Sequence, residues 1–322
     1  MPYKNIAIGA PGYISGSQMA NLYGCGYGTP LDVFNRLKGI EEEKEFSEEA
    51  QKSMEFGTFF EEPVAQFFMY KTGLKVKKVG EGLRAYFTKE LPFLICHPDR
   101  IGIGKDEKGR RFALEIKCVR TGSEGWGEEG TDEIPDYYFI QVQTYFATGV
   151  PCDVVYLACL RGNRVFIYEI LPDQDVIADI KERAKAFKEY TDIGIVPEPA
   201  NYDEAVQVYG RKADMENTVG ANDEVLSIYN ELLAVHERQK ELEAEEEQKK
   251  MALMEKLGEA SAFVVADGKK IRNICAWSET TRTSFDTKAF KKDNPSLDFT
   301  PYESTKTLRS FRINYPRSKE NG

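Results

Sequence analysis

The seven residues Phe112-Ala113-Leu114-Glu115-Ile116-Lys117-Cys118 constrain this chain more than any other segment. Apolar residues fall at every second position, the period of a β-strand whose successive side chains point to opposite faces. Phe112, Leu114, Ile116 and Cys118 are expected to pack into a core on one side. Glu115 and Lys117 then project together from the other, about 7 Å apart at their Cα atoms. An acid and a base held side by side on a rigid strand suit a hydrolytic metal site. The carboxylate can bind a hard cation such as Mg²⁺, and the ammonium can orient an attacking water, help deprotonate it, or stabilise developing negative charge.

Upstream, Phe93-Leu94-Ile95-Cys96 is an apolar run ending at His97-Pro98-Asp99. If that strand neighbours the one carrying Glu115, Asp99 shares the same cation, and the intervening stretch of about fifteen residues is a hairpin's length. Taken singly these features are ordinary: most E-x-K pairs on strands are surface salt bridges, an Asp after a strand is usually a turn residue, and a Gln on a helix is usually solvated. Their order and spacing together carry the inference.

The rest of the chain supplies the frame. Ser15–Gly39 reads as two short helices split by a Gly-rich turn, the second opened by Thr29-Pro30. An acidic helix at Ser47–Gly57 is followed by helical spacing of Phe60, Val64, Phe67 and Phe68, with Pro63 predicted to kink the helix or start it. Leu83–Thr88, Leu91–Cys96 and Arg111–Val119 are expected to form a β-meander, with Gly102–Arg110 as a tight connection. Asp136–Thr148 reads as a helix with Tyr138, Gln141 and Tyr145 on one face. Cys152–Leu160 and Val165–Ile170 are two further strands and Ile177–Tyr190 a helix. This is an α/β sheet with helices packed on it, assigned to residues 1–205. Residues 206–322 are expected to hold a charged helical arm or helical hairpin at Asp223–Gly258 and a hairpin at Ala262–Trp277 turning at Asp267-Gly268. A short helix near Asp286–Asp293 and a last strand at Thr307–Ile313 complete that accessory region. Lys269, Lys270, Arg272, Arg309 and Arg312 form either a basic strip against DNA or a solvated face.

Composition narrows the function classes. Two histidines, His97 and His236, exclude a His-rich metal site and disfavour a Ser–His–Asp triad. The six cysteines are scattered without a CxxC pair, as expected of core residues in a reducing compartment. With no run of eighteen apolar residues and no signal-peptide pattern, a cytoplasmic protein without a membrane span is expected. The net charge of −10 counts mildly against nucleic acid as a partner, but a groove can be locally basic.

Pro98-Asp99, Glu115-Ile116-Lys117 and the helix Tyr138-Phe139-Ile140-Gln141-Val142-Gln143 together resemble the PD-(D/E)xK nucleases. More narrowly, the chain resembles the YqaJ-type viral recombinases, the family of bacteriophage lambda exonuclease. Ile14-Ser15-Gly16-Ser17, Thr29-Pro30-Leu31-Asp32-Val33-Phe34 and Gly57-Thr58-Phe59-Phe60-Glu61-Glu62-Pro63-Val64-Ala65 carry that narrower likeness, together with the charged helix and the Arg282–Phe290 segment of the tail. The resemblance implies a restriction-endonuclease-like core, a mixed central sheet flanked by helices, with a C-terminal helical arm and a small β unit. It implies Asp99 and Glu115 as metal ligands with the Ile116 carbonyl as a third, and Glu62 as the helix acid, with Glu61 competing for that role. Lys117 would contact the water or scissile phosphate, and Gln141 would position Lys117, the water or the phosphate. Ser17, with His97 nearby, would face a terminal 5′-phosphate. The family often has Trp and Arg upstream of the first helix where this chain offers Lys4, and some members have Ser where His97 stands. The implied activity is Mg²⁺-dependent exonucleolytic digestion of duplex DNA from a 5′ end, with Mn²⁺ able to substitute. By the same resemblance it would leave a 3′ single strand for an annealing protein, and a ring-shaped homo-oligomer, a trimer, would encircle the DNA. An endonuclease of the same superfamily, or an inactive module that binds DNA ends, is the alternative.

Overall fold

In the computed structural model the described residues are 3–40, 47–79, 84–119, 124–212, 217–267, 270–277, 279, 281, 283, 286–295 and 297–300. The elements run in chain order as β1 (Tyr3–Asn5), β2 (Ile14–Ser15), α1 (Gly16–Leu22), α2 (Pro30–Lys38), α3 (Glu48–Thr72), β3 (Lys75–Lys77), β4 (Arg84–Tyr86) and β5 (Leu94–Ile95). They continue with β6 (Arg100–Ile103), β7 (Phe112–Val119), α4 (Asp136–Ala147), β8 (Val154–Arg161), β9 (Arg164–Ile170), α5 (Gln174–Asp192) and α6 (Tyr202–Lys212). Then follow α7 (Asp223–Leu257), β10 (Ala262–Asp267), β11 (Lys270–Ala276) and α8 (Thr287–Asp293). The chain divides into two compact units, Met1–Ala205 and Val206–Gly322.

The first unit is built on a five-stranded sheet of order β3-β6-β7-β8-β9. β7 and β8 are parallel and joined through α4, while the other neighbours are antiparallel. This is the mixed sheet flanked by helices that the family resemblance implies. Parallel pairs need such a crossover, and helices covering both faces make the inner strands nearly continuous in apolar residues. On one face Val64, Ala65 and Phe68 of α3 pack against Phe112, Leu114 and Ile116. On the other, Tyr138, Val142 and Tyr145 of α4 cover Ala113, Val155 and Leu157. Behind α4 lies a third layer in which α1, α2 and α5 share a cluster with Ile140 and Ala147. Lying between two layers, α4 buries residues all round its circumference.

Three local expectations need correction. β5 does not join β7: it pairs in parallel with β2, and Cys96 bridges to Tyr86. The strand beside β7 is β6, which overlaps the stretch read as a connection at Gly102 and Ile103, so Asp99 precedes a strand instead of ending one. β6 is short and holds an arginine and a glycine, which hid its period. Gly102 is required there because a Cβ would meet the Phe112 ring at 2.7 Å. The true turn is narrower. Asp106 accepts the Arg110 amide and guanidinium (both 2.8 Å) and the Tyr156 hydroxyl (3.1 Å), tying the hairpin to β8. Pro63 does not start a helix, since α3 runs from Glu48 to Thr72 across it. It lies on the solvent side, where the carbonyl it leaves unpaired can be hydrated.

The second unit holds α7, a single 35-residue helix, and the antiparallel β10–β11 hairpin, with α8 after it. The expected last strand at Thr307–Ile313 lies outside the described residues, as do Lys269, Arg309 and Arg312 of the basic strip. Among the described residues no helix is long and apolar enough to cross a membrane.

Two outcomes follow from this frame. Gly102→Ala should lower stability by about 1–3 kcal/mol through overpacking against Phe112, read as a lower urea midpoint at unchanged slope. At the start of β8, Asp153 is gripped by Arg111 through the guanidinium (2.6 and 3.1 Å) and the amide (2.8 Å). Those bonds hold its carboxyl down at about 2, below the ordinary 3.8. A depressed carboxylate stabilises the fold fully above its unfolded value and loses that contribution as pH falls through the folded one. The difference in urea midpoint between the parent and Asp153→Asn should therefore be present near neutrality and vanish below about pH 2.

Candidate active site

β6 and β7 bring the first acid to the second. Arg100 pairs with Leu114 and Ile101 with Ala113, so continuing the ladder sets Asp99 opposite Glu115. The Asp99 carboxylate accepts the Ile116 amide at 2.7 Å, which anchors it to the strand bearing the E-x-K pair. Alternation along β7 then does what the sequence predicts. Phe112, Leu114 and Ile116 enter the α3 side, and Glu115 and Lys117 emerge under α4.

Glu115 is 2% exposed, so its charge needs partners. One oxygen takes the Lys117 ammonium at 2.6 Å and the Gln141 amide at 2.7 Å. The other accepts the Tyr145 hydroxyl. Lys117 Nζ also lies 5.0 Å from the centre of the Tyr138 ring. Tyr138, Gln141 and Tyr145 occupy one face of α4, as their spacing predicts, and all three turn toward the E-x-K pair. Gln143, on the opposite face, is structural: it donates to the Leu171 carbonyl (2.9 Å) and accepts the Asp173 amide (3.0 Å).

The electrostatics follow from crowding. Burial and the Glu115 charge hold the Asp99 carboxyl well above the usual carboxylate range, against the pull of Lys117 and the Ile116 amide. Burial disfavours charge on Lys117, but Glu115 and Asp99 outweigh it and raise its pKa. Lys117 is therefore a cation and a donor.

The helix acids are placed differently. Arg100, only 3% exposed, takes Glu61 on one guanidinium nitrogen and Glu62 on the other (2.9 Å), and also donates to the Asp99 carbonyl (2.7 Å). Both glutamates are thus paired with the buried arginine that follows Asp99 in the chain. Glu61 contributes to the field at Asp99 and at Cys118. Among the described residues no three His, Cys, Asp or Glu side chains form a ready metal cage. Asp99 and Glu115 are the carboxylate pair at the centre, with Glu61 and Glu62 beside them.

The residues expected at a 5′-phosphate are nearby in sequence terms only in part. α1 approaches α4 closely, since a Cβ on Gly16 would meet Cys96 Sγ at 2.8 Å and Gln141 Cγ at 3.7 Å. Ser17 follows that contact, is exposed, and its hydroxyl is 3.1 Å from that of Ser15. His97 Nε2 lies 2.8 Å from the Ile6 carbonyl, so that nitrogen must carry the proton and is occupied. Sequence reasoning missed Arg100 as the clamp on the helix acids. It placed Tyr138 and Tyr145 on the right face without assigning them partners, although tyrosines one turn either side of a glutamine were a usable signal.

Residues 10–150 match the model of the YqaJ-like viral recombinase domain, a span that includes Asp99, Glu115, Lys117 and Gln141. A protein of Bacillus subtilis (strain 168) described as uncharacterized protein YqaJ is 24% identical over 275 residues, covering 83% of this chain and 79% of its own length. An alkaline exonuclease of Laribacter hongkongensis, LHK-Exo, overlaps at 17% identity and a TM-score of 0.43, covering 63% of this chain and 95% of its own. The same enzyme in complex with dAMP overlaps at 18% identity and the same TM-score.

Proposed function

We propose that this chain is a metal-dependent DNA exonuclease of the lambda-exonuclease type, acting on the ends of linear duplex DNA. The observation that carries the proposal is the convergence of Asp99, Glu115, Lys117 and Gln141 at the junction of β6, β7 and α4. The family match over residues 10–150 supports a nuclease.

The donor set fits Mg²⁺ or Mn²⁺. Two carboxylates stand so close that the charge of one raises the pKa of the other, and only Lys117 offsets them within the pair's own strand. Mg²⁺ is typically held by one or two carboxylates plus substrate phosphate and water, not by a complete protein cage. Asp99, Glu115 and the Ile116 carbonyl would hold it, with Glu61 or Glu62 released from Arg100 or acting through water. When bound, such a cation polarises the phosphate and acidifies water.

The chain's own residues do the rest. Lys117, kept protonated, donates to the phosphate oxygens or the attacking water and meets charge as it develops. Gln141 and Tyr145 lock the Glu115 carboxylate in one orientation, so the site is organised before substrate arrives. Digestion from a 5′ end, a 5′-phosphate contact at Ser17, a trimeric ring and an annealing partner for the 3′ strand belong to the same reading.

Glu115→Gln and Lys117→Ala should each lower cleavage of linear duplex by at least about 10²-fold while keeping the parent's circular dichroism spectrum. Chelation should abolish product and added Mg²⁺ restore it. A covalently closed circular duplex should stay intact under conditions that consume its linear form, and its cleavage would favour an endonuclease. Tyr145→Phe should cost about 1–3 kcal/mol of stability by leaving one Glu115 oxygen unpaired. It should reduce activity less than Glu115→Gln does.

A further inference from the structure

Beyond the acid–lysine centre, a second cation stands on the same sheet face with no carboxylate partner among the described residues. Lys117 pairs with Cys159 across the parallel β7–β8 ladder, and Arg161 lies two residues further along β8, so its side chain emerges on the same side. Its guanidinium is enclosed by aromatic rings: Phe166 at 3.9 Å, Trp126 at 5.3 Å and Tyr168 at 6.0 Å from guanidinium carbon to ring centre. It donates one hydrogen bond, to the Tyr168 hydroxyl at 2.8 Å. No carboxylate pairs with it among the described residues, whereas Arg100, Arg110 and Arg111 each hold one or two.

Two buried nitrogens in this cage, Arg161 Nε and Trp126 Nε1, make no hydrogen bond. Arginine cannot shed its charge, and buried donors are nearly always satisfied. The cage is also continuous with the active site. The Trp126 ring lies 5.6 Å from that of Tyr138, the ring over which Lys117 sits. Among the described residues of this acidic protein, a fixed cation and an indole N–H stand unmatched beside the candidate active site. A phosphodiester supplies the counter-charge that the guanidinium lacks.

We infer that Arg161, held by Trp126, Phe166 and Tyr168, is a substrate contact that binds a DNA backbone phosphate flanking the scissile one. This deepens the nuclease proposal and rests on it. The aromatic enclosure keeps the guanidinium in one orientation, which limits the entropy lost when phosphate binds. Sequence-independent backbone contact is what an enzyme that digests any duplex requires.

Binding without cleavage tests this. The full-length Glu115→Gln protein is titrated onto a fluorescein-labelled short duplex in chelator over a range of salt, alone and with Arg161→Gln or Arg161→Lys. Arg161→Gln should weaken binding and reduce the slope of log affinity against log salt by about 0.9, the release of one counter-ion. Arg161→Lys should restore most of the slope. A folded Arg161→Gln protein with the parent's slope would overturn the inference and leave the arginine a packing residue. Absence of duplex binding by the Glu115→Gln parent itself would instead sink the nuclease reading. Should Arg161→Gln fail to fold, Trp126 reports directly: with Trp277→Phe it becomes the only tryptophan in the chain. Duplex DNA should then shift its emission, and unchanged emission at saturating DNA would refute the contact.

Discussion

The first unit is organised around a carboxylate that has been taken out of water. Glu115 sits under α4 with a lysine, an amide and a phenol turned onto its two oxygens. A buried acid with fewer partners would be expensive, and one with only apolar neighbours would be protonated. Satisfying it dictates what surrounds it. α4 must present polar groups at three positions of one face while burying apolar groups elsewhere. β6 must lie antiparallel so that Asp99 arrives opposite. The crossover from β7 through α4 to β8 lays the helix over its own acid. The site is therefore part of the load that the sheet and helix carry between them.

A second layer of charge supports the first. Arg100 is buried one residue from Asp99 and is neutralised by Glu61 and Glu62 from α3, on the far side of the sheet. Two helices packed on opposite faces are thus tied to one β-hairpin through ionic groups: α4 through Glu115, α3 through Arg100. The hairpin's far end is fixed by Asp106. Burial pushes that carboxyl up, but the Arg110 amide and guanidinium and the Tyr156 hydroxyl outweigh burial and hold it below its ordinary value. Anchored at both ends, the hairpin sets the register that places the acids.

How much of this the sequence discloses depends on whether the cause is local. β7, β8 and β9 were legible because their apolar period is long and unbroken. So was the shared face of Tyr138, Gln141 and Tyr145, since helical spacing alone determines it. β6 was not legible. Its four residues include an arginine that can be buried only because two glutamates, far away in the chain, come to meet it. The same long-range pairing, Arg100 with Glu61 and Glu62, cannot be seen from the glutamates' own positions in the chain. Pro63 differs for the opposite reason: a local rule allows a helix start there, which a solvent-facing position inside a longer helix makes unnecessary. Arg161 showed no pattern, because its cage is assembled from a strand pair and the loop holding Trp126.

The alternation of β7 has one more consequence. Its apolar side chains are teeth set into the α3 layer, and its acid and lysine lie between them on the reverse side. A shift of this strand by a single residue against its neighbours would drive Glu115 and Lys117 into the hydrocarbon of α3 and turn Leu114 and Ile116 toward Gln141. Such a slipped chain would lose its core and its chemistry in the same step. Insertions and deletions near Phe112–Val119 should therefore be removed by misfolding before they could yield a stable but silent protein.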